Sequence, residues 1–300
     1  MPTSASNMPT ELKNAYQYCM NMAQNHYENF PVASRFLKKE LRYPFSAVYA
    51  FARSADDFAD EGDLSAQQRL TLLDDFDTEL ITIKNSLQNN LNEYETNNPV
   101  FIALMDVIRR FDVPLVLFQN LLCAFKQDVV KTRYQNFEEI LAYCQNSANP
   151  VGRILLYLNN SAETDNLRAS DAICTGLQLI NFYQDIAQDI DENDRLYLPV
   201  DEMKAMSVSV EDLRQRMNNA HTRSLLNLQI QRAHSIYIEG QYLCKNLSGR
   251  FALEIAMIYN SGLLILNKLE QNTHNIYSRP RLKPFDKLKI VSKGIICPYI

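Results

Sequence analysis

Two stretches of the 300-residue chain carry carboxylates at the same spacing. In RSADDFADEGD, residues 53–63, Asp56, Asp57, Asp60, Glu61 and Asp63 crowd behind the apolar run AVYAFA. In GLQLINFYQDIAQDIDENDRLYLP, residues 176–199, Asp185 and Asp189 repeat the step from Asp56 to Asp60. Carboxylates four apart share a helix face and repel by about 0.2–0.5 kcal/mol, and acids near a helix C-terminus lose about 0.3–1 kcal/mol more to the dipole. For one acidic helix end, a solvated surface is as good a reading as a functional one. Two such ends on mostly apolar helices shift the balance. If the helices face each other across a cavity, four carboxylates converge, and that arrangement holds only with divalent cations between them. Mg2+ suits it, because it uses one or two carboxylates per ion and completes its shell with water and substrate phosphate oxygens. The expected chemistry is metal-held binding of a diphosphate.

The elements that position these acids read as helices. Only 7 Gly and 11 Pro punctuate the chain, too few for an all-β fold or a nucleotide-binding sheet, while 16 Tyr and 14 Phe supply bulk in the absence of Trp. Periodicity predicts helices at about 10–26, 32–60, 64–87, 99–110, 114–130, 136–145, 150–159, 166–190, 209–218, 220–245 and 249–272. Gly62 marks the end of the first acidic helix, the Asn-rich SLQNNLNEYETNNP at 86–99 reads as an inter-helix loop, and SGR at 248–250 as a hinge. Helical patterning resumes after each break and no fixed-period repeat is present, so 1–300 is expected to form one domain. Along the second acidic helix, Gln178, Asn181, Asp185 and Asp189 fall at about 0°, 300°, 340° and 20°, a polar stripe on an otherwise apolar helix. Burying it costs several kcal/mol unless it is paired or faces a wet cavity.

A net charge of −5 argues against a general nucleic-acid binder. Cys19, Cys123, Cys144, Cys174, Cys244 and Cys297 lack metal-ligand spacing and read as reduced thiols of a cytoplasmic protein. The N-terminus has no basic and apolar signal pattern, and no run reaches the ~18 consecutive apolar residues of a membrane span. A di-iron bundle needs Glu-x-x-His, and none of His26, His221, His234 and His274 has Glu three residues before it. Apolar helices at 114–130 and 150–159 read equally as core or as the lining of a hydrocarbon tunnel.

AVYAFARSADDFADE and QLINFYQDIAQDIDENDRLYLP resemble the two signature motifs of the squalene/phytoene synthases. FKQDVVKTRYQNFEEILAYCQNSANPVGRILL at 125–156, with Tyr134, Tyr143 and Gly152, extends the resemblance over nearly the whole chain. ENFPVASRFL at 28–37 and NFYQD at 181–185 look most like the HpnC branch of bacterial hopanoid pathways. The resemblance implies an all-α, single-domain isoprenoid-synthase-type helical bundle with a central active-site cavity. It places magnesium ligands on Asp56, Asp60, Asn181, Asp185 and Asp189, a diphosphate grip on Arg53, and the lining of the reacting centre on Tyr49 and Gln178. Arg195 and Gln184 join the substrate-binding positions beside the second acid pair. His26 and Asn29 fall where the family often has His-Ser-x-Ser-Phe; here the segment reads HYENF, with both serines replaced.

Where condensing members commonly carry Arg before the first Asp of the second motif, this chain has Gln184. One guanidinium fewer suits a substrate with one diphosphate. The HpnC resemblance implies presqualene diphosphate, ionised, rearranged and captured by water to give hydroxysqualene, with no NADPH. Tyr134, Tyr143 and Tyr183 are candidates to orient that water. Two alternatives stand beside it: head-to-head condensation of two prenyl diphosphates, and an inactive helical partner of the pathway enzymes. The basic SRPRLKPFDKLKIVSK near the C-terminus reads either as a solvated tail or as a peripheral hold on the inner face of an anionic membrane.

Overall fold

The computed structural model describes residues 8–25, 39–89, 96–272, 275–283 and 286, and divides the chain into two compact units, Met1–Val130 with Ile154–Ala162, and Lys131–Arg153 with Glu163–Ile300.

The first unit contains α1 (Thr10–Asn25), α2 (Arg42–Asp60), α3 (Ala66–Gln88), α4 (Pro99–Phe111) and α5 (Val116–Val130). The helix expected from residue 32 begins at Arg42 after a single 3-10 turn, Lys39–Leu41; residues 26–38, and 90–95 of the Asn-rich loop, lie outside the described ones. Ala47, Ala50, Phe51, Ala55 and Ala59 recur three or four apart as the buried stripe of α2. The Phe51 ring meets Phe76 of α3, Phe101 of α4 and Phe118 of α5 at 5.7, 5.9 and 5.3 Å between centroids, so one side chain ties four helices. Each such pair adds about 0.5–1.5 kcal/mol beyond area burial. The Tyr16 hydroxyl of α1 donates to Asp106 of α4 at 2.6 Å. Ser65 caps α3 through a reciprocal box with Gln68, and Asn98 followed by Pro99 starts α4.

The second unit contains α6 (Phe137–Ser147), the first part of α7 (Asn149–Leu158), α8 (Thr164–Gln184), α9 (Ile186–Asn193), α10 (Val200–Ala205), α11 (Val210–Arg214), α12 (Ala220–Glu239), α13 (Gln241–Asn246) and α14 (Gly249–Gln271). Helix α8 packs against α12, α13, α14 and α6. Close approach is set by glycine: a Cβ on Gly176 would lie 2.5 Å from the Tyr237 ring, whose hydroxyl is fixed by donation to the Tyr259 carbonyl at 3.1 Å. The helix expected over 220–245 breaks at Gly240, where a Cβ would come within 3.0 Å of the Ala169 carbonyl. The helix expected over 166–190 breaks at Asp185, with φ −108° and ψ 10°. Short α10 was not foreseen, nor was a parallel pair of strands, β1 (Arg133–Tyr134) with β2 (Leu196–Pro199). One helix departs from the expectation about membrane spans: α14 is long and apolar enough by length and composition, with a window mean hydropathy of 1.3. It also packs on α8, α12 and α13, burying Ile255, Tyr259, Leu266 and Leu269, as a core helix does.

Candidate active site

In the first unit, the end of α2 is stabilised by two arginines. Arg53 pairs with Asp57 (Nε to Oδ1, 2.6 Å), reaches Asp56 at 3.6 Å and contacts Glu61. Arg69, from the first turn of α3, donates to the carbonyls of Phe58 and Glu61 at 3.0 Å and of Gly62 at 2.7 Å. Helix-end carbonyls that repel carboxylates are thereby covered by a guanidinium. Gly62, at φ 75°, makes the left-handed exit the sequence marked. Asp56 and Asp60 stand one helical step apart beside the Arg53–Asp57 pair. Partial burial, then the Asp60 carboxylate, push Asp56 up to about 6 against the pull of Arg53. Tyr49 feels Arg53, Asp57 and Asp56, so it lies beside this pair, and burial raises its pKa.

The second pair straddles the break after α8. Backbone bonds from Asp185 N to Asn181 O at 2.9 Å and from Asp189 N to Asp185 O at 2.8 Å keep the four-residue step across it. The polar stripe is not buried: Asn181 is exposed, and Gln178, Asp185 and Asp189 are half-buried. Burial, then the Asp185 carboxylate, push Asp189 up to about 7, opposed by Arg195, which thus sits within reach of the pair. Asp185 is also raised by burial, and Arg279 and Arg281 oppose the shift. Two of the acids beyond the pair are tied to arginines: Asp191 to Arg216 at 2.5 Å, and Asp194 to Arg133 at 2.6 Å and to Arg214 at 2.5 Å.

Two residues change the sequence picture. Arg279 meets Asp185 through two of its nitrogens, Nε 2.6 Å from Oδ1 as an ion pair and Nη2 donating to Oδ2 at 3.0 Å. Gln184 donates Nε2–H to the Pro280 carbonyl at 2.7 Å. The guanidinium missing at position 184 is supplied from position 279, so this acid pair does not lack a neighbouring arginine. The Arg279 side chain and the Pro280 and Arg281 carbonyls are engaged by Asp185, Gln184 and Lys268, so this part of the basic stretch is not a free tail. The basic composition read as a tail or a membrane hold; nothing local revealed Asp185 as the partner of Arg279. Arg69 was equally unforeseen, its signal being a cation in the first turn after an acidic helix end.

His26 and Asn29 lie outside the described residues. Tyr134, Tyr143, Tyr197 and Phe182 form a ring cluster, Phe182 stacked on Tyr197 at 3.7 Å, with the Lys131 ammonium 4.6 Å from the Tyr134 centroid. Tyr183 is buried, and the ionisable groups acting on it are Cys144, Arg232 and Glu202 rather than the acid pair. His234 pairs with Glu270 at 3.0 Å. Among the described residues no three His, Cys, Asp or Glu side chains gather as a ready-made metal cluster. Each acid pair is an all-oxygen donor set of two carboxylates one helical step apart. That fits a hard cation held by one or two carboxylates with water or phosphate completing the shell.

Comparison with known proteins agrees with these motifs. Residues 23–286 match the squalene/phytoene synthase family. The chain is 34% identical over 261 residues to a hydroxysqualene synthase of Rhodopseudomonas palustris, covering 86% of this chain and 85% of that one. It is 29% identical over 273 residues to a phytoene synthase of Mycobacterium tuberculosis, covering 86% of each. The crystal structure of squalene synthase HpnC from Alicyclobacillus acidocaldarius is similar at a TM-score of 0.80 and 31% identity, over 89% of this chain and 97% of that one. With its helical architecture and both acidic motifs in order, the chain belongs to the squalene/phytoene synthase family.

Proposed function

We propose that this protein converts presqualene diphosphate and water to hydroxysqualene and diphosphate, with Mg2+ and without NADPH. The observation that carries the metal-dependent part is the like-charge crowding: Asp56 and Asp189 are each held above the ordinary carboxylate range by burial and by a carboxylate one turn away. Such pairs gain stability from a cation and give little reason to persist otherwise. The choice of substrate rests on similarity to the hydroxysqualene synthase of R. palustris.

In this reading Asp56, Asp60, Asp185 and Asp189 hold the cations, with Asn181 as a neutral oxygen donor. Bound Mg2+ would offset the negative charge that develops on the departing diphosphate. Arg53 would exchange its carboxylate partners for diphosphate oxygens, while Tyr49 and Gln178 line the reacting carbon chain. The C–O bond to diphosphate breaks, the carbocation rearranges, and water adds its oxygen and loses a proton. We place this work in the cytoplasm, at a membrane surface into which the product partitions.

A second reading, head-to-head condensation of two prenyl diphosphates, is favoured by one observation: Arg279 restores the cation that Gln184 lacks. Product analysis separates the two. The purified protein is given presqualene diphosphate or farnesyl diphosphate with Mg2+, with and without NADPH, in 18O-labelled water. The proposal expects an 18O-labelled alcohol from presqualene diphosphate in either case and little turnover of farnesyl diphosphate. Rapid formation of presqualene diphosphate or a hydrocarbon from farnesyl diphosphate would overturn it in favour of condensation.

A further inference from the structure

The stretch formed by residues 275–283 runs across the break between α8 and α9 and, with Asp286, is anchored at both ends away from the acid pair. At its start, the Tyr277 hydroxyl donates to the Met217 carbonyl at 2.9 Å and its ring faces the Arg216 guanidinium at 5.7 Å. At its end, Lys268 of α14 pairs with Asp286 at 2.6 Å and donates to the Arg281 carbonyl at 3.0 Å. Between the anchors, consecutive residues meet consecutive residues: Arg279 takes Asp185 and the Pro280 carbonyl takes Gln184.

These contacts differ in kind. The anchors engage groups with no part in the proposed chemistry, whereas the central contact occupies both oxygens of Asp185, a proposed metal ligand. A divalent cation and a bidentate guanidinium compete for the charge and the lone pairs of the same carboxylate oxygens. The Asp185 side chain is 18% exposed and that of Arg279 46%, so the arginine is the partner with room to leave.

We infer that residues 277–283 form a self-inhibitory strap in which Arg279 acts as an internal counter-cation for Asp185 and is displaced when metal loads. The inference rests on Asp185 being a metal ligand. Metal loading then breaks the Arg279 and Pro280 contacts together and loosens the adjoining Arg281 carbonyl from Lys268, while Tyr277 and the Lys268–Asp286 pair hold the ends. Without metal, the strap offsets one negative charge of the acid pair and competes with other cations for Asp185.

The test uses Mn2+ binding to the full chain, followed by electron paramagnetic resonance, and tryptic cleavage at Arg281–Leu282 with and without Mg2+. Arg279→Gln is expected to bind Mn2+ about 3- to 10-fold more tightly than the unmodified protein, because the competing ion pair is gone. Arg281→Gln, which removes a nearby charge that is not paired to Asp185, is expected to change binding by less than about 2-fold. Cleavage at Arg281 should accelerate with Mg2+ in the unmodified protein and be fast without Mg2+ in Arg279→Gln. Unchanged Mn2+ affinity in Arg279→Gln, equal tightening in Arg281→Gln, or cleavage indifferent to Mg2+ would each overturn the strap. Asp185→Asn separates the two levels of argument. If it leaves Mn2+ binding intact, the metal assignment itself fails; if it weakens binding while Arg279→Gln does not tighten it, only the strap fails.

Discussion

Asp189→Asn should stabilise the metal-free protein at alkaline pH while abolishing turnover. Burial and the Asp185 carboxylate raise Asp189 from 3.8 to about 7, with Glu192 adding and Arg195 and Arg279 opposing. Between these two values the folded state keeps a proton that the unfolded state has released. Folded stability therefore falls as pH rises from about 4 through about 7 and reaches its low plateau above that. At full strength a rise of this size corresponds to about 4 kcal/mol; contact with solvent reduces it to about 1–2 kcal/mol. Asparagine carries no charge to repel Asp185, so the variant should escape this loss. In a chain of this length that is about 2–4 °C of melting temperature. The assay is thermal unfolding in chelator at about pH 5 and about pH 8.5, reading the variant minus the unmodified protein so that other titrations cancel. The difference should widen toward alkaline pH, and saturating Mg2+ should raise the unmodified protein more than the variant. A difference that stays flat with pH, or a variant that melts lower at alkaline pH, would refute the assignment of charge strain to this pair.

Other outcomes follow from the same geometry. Asp56→Asn should lower turnover by about two or more orders of magnitude with the circular dichroism spectrum unchanged; Asp191→Asn, which loses only an exposed pair with Arg216, should stay within about 3-fold of normal in the same steady-state assay. Arg69→Met uncovers three carbonyls at the end of α2 and should destabilise by about 1–2 kcal/mol in urea unfolding, least at high salt. Gly176→Ala sets a methyl against the fixed Tyr237 ring and should cost about 1–3 kcal/mol, with part regained when Tyr237→Leu is added.

Helices α3, α4 and α14 stood close to their expected limits because each has a long apolar period and a start marked in the sequence: Ser65 with Gln68, Asn98 with Pro99, Ser248 with Gly249. The two breaks that were missed, at Asp185 and Gly240, are set by tertiary contacts. Gly240 yields to the crowding of Ala169 and Ile173, and Asp185 lies where a segment ninety-odd residues later comes to rest. Both acid pairs were legible because helical spacing turns sequence distance into a shared face. Their arginines were less so: Arg53, one turn away on the same helix, was found, whereas Arg69 and Arg279 reach in from other elements. Strands of two and four residues carry too little alternation to be read at all.

That strand pair also constrains how the chain reaches its fold. Arg133 and Asp194 lie 61 positions apart in sequence, and their contact, with Leu196 N donating to the Thr132 carbonyl at 3.0 Å, closes a loop holding α6, α7, α8 and α9. Closing a loop of that length opposes folding by about 4 kcal/mol in chain entropy, whereas each helix inside it forms from neighbours within microseconds. Two short strands cannot offset such a term by themselves. The ladder therefore closes only once α8 has docked on α12 and the Tyr134, Tyr143, Tyr197 and Phe182 rings have begun to stack, which makes it a late event in assembly.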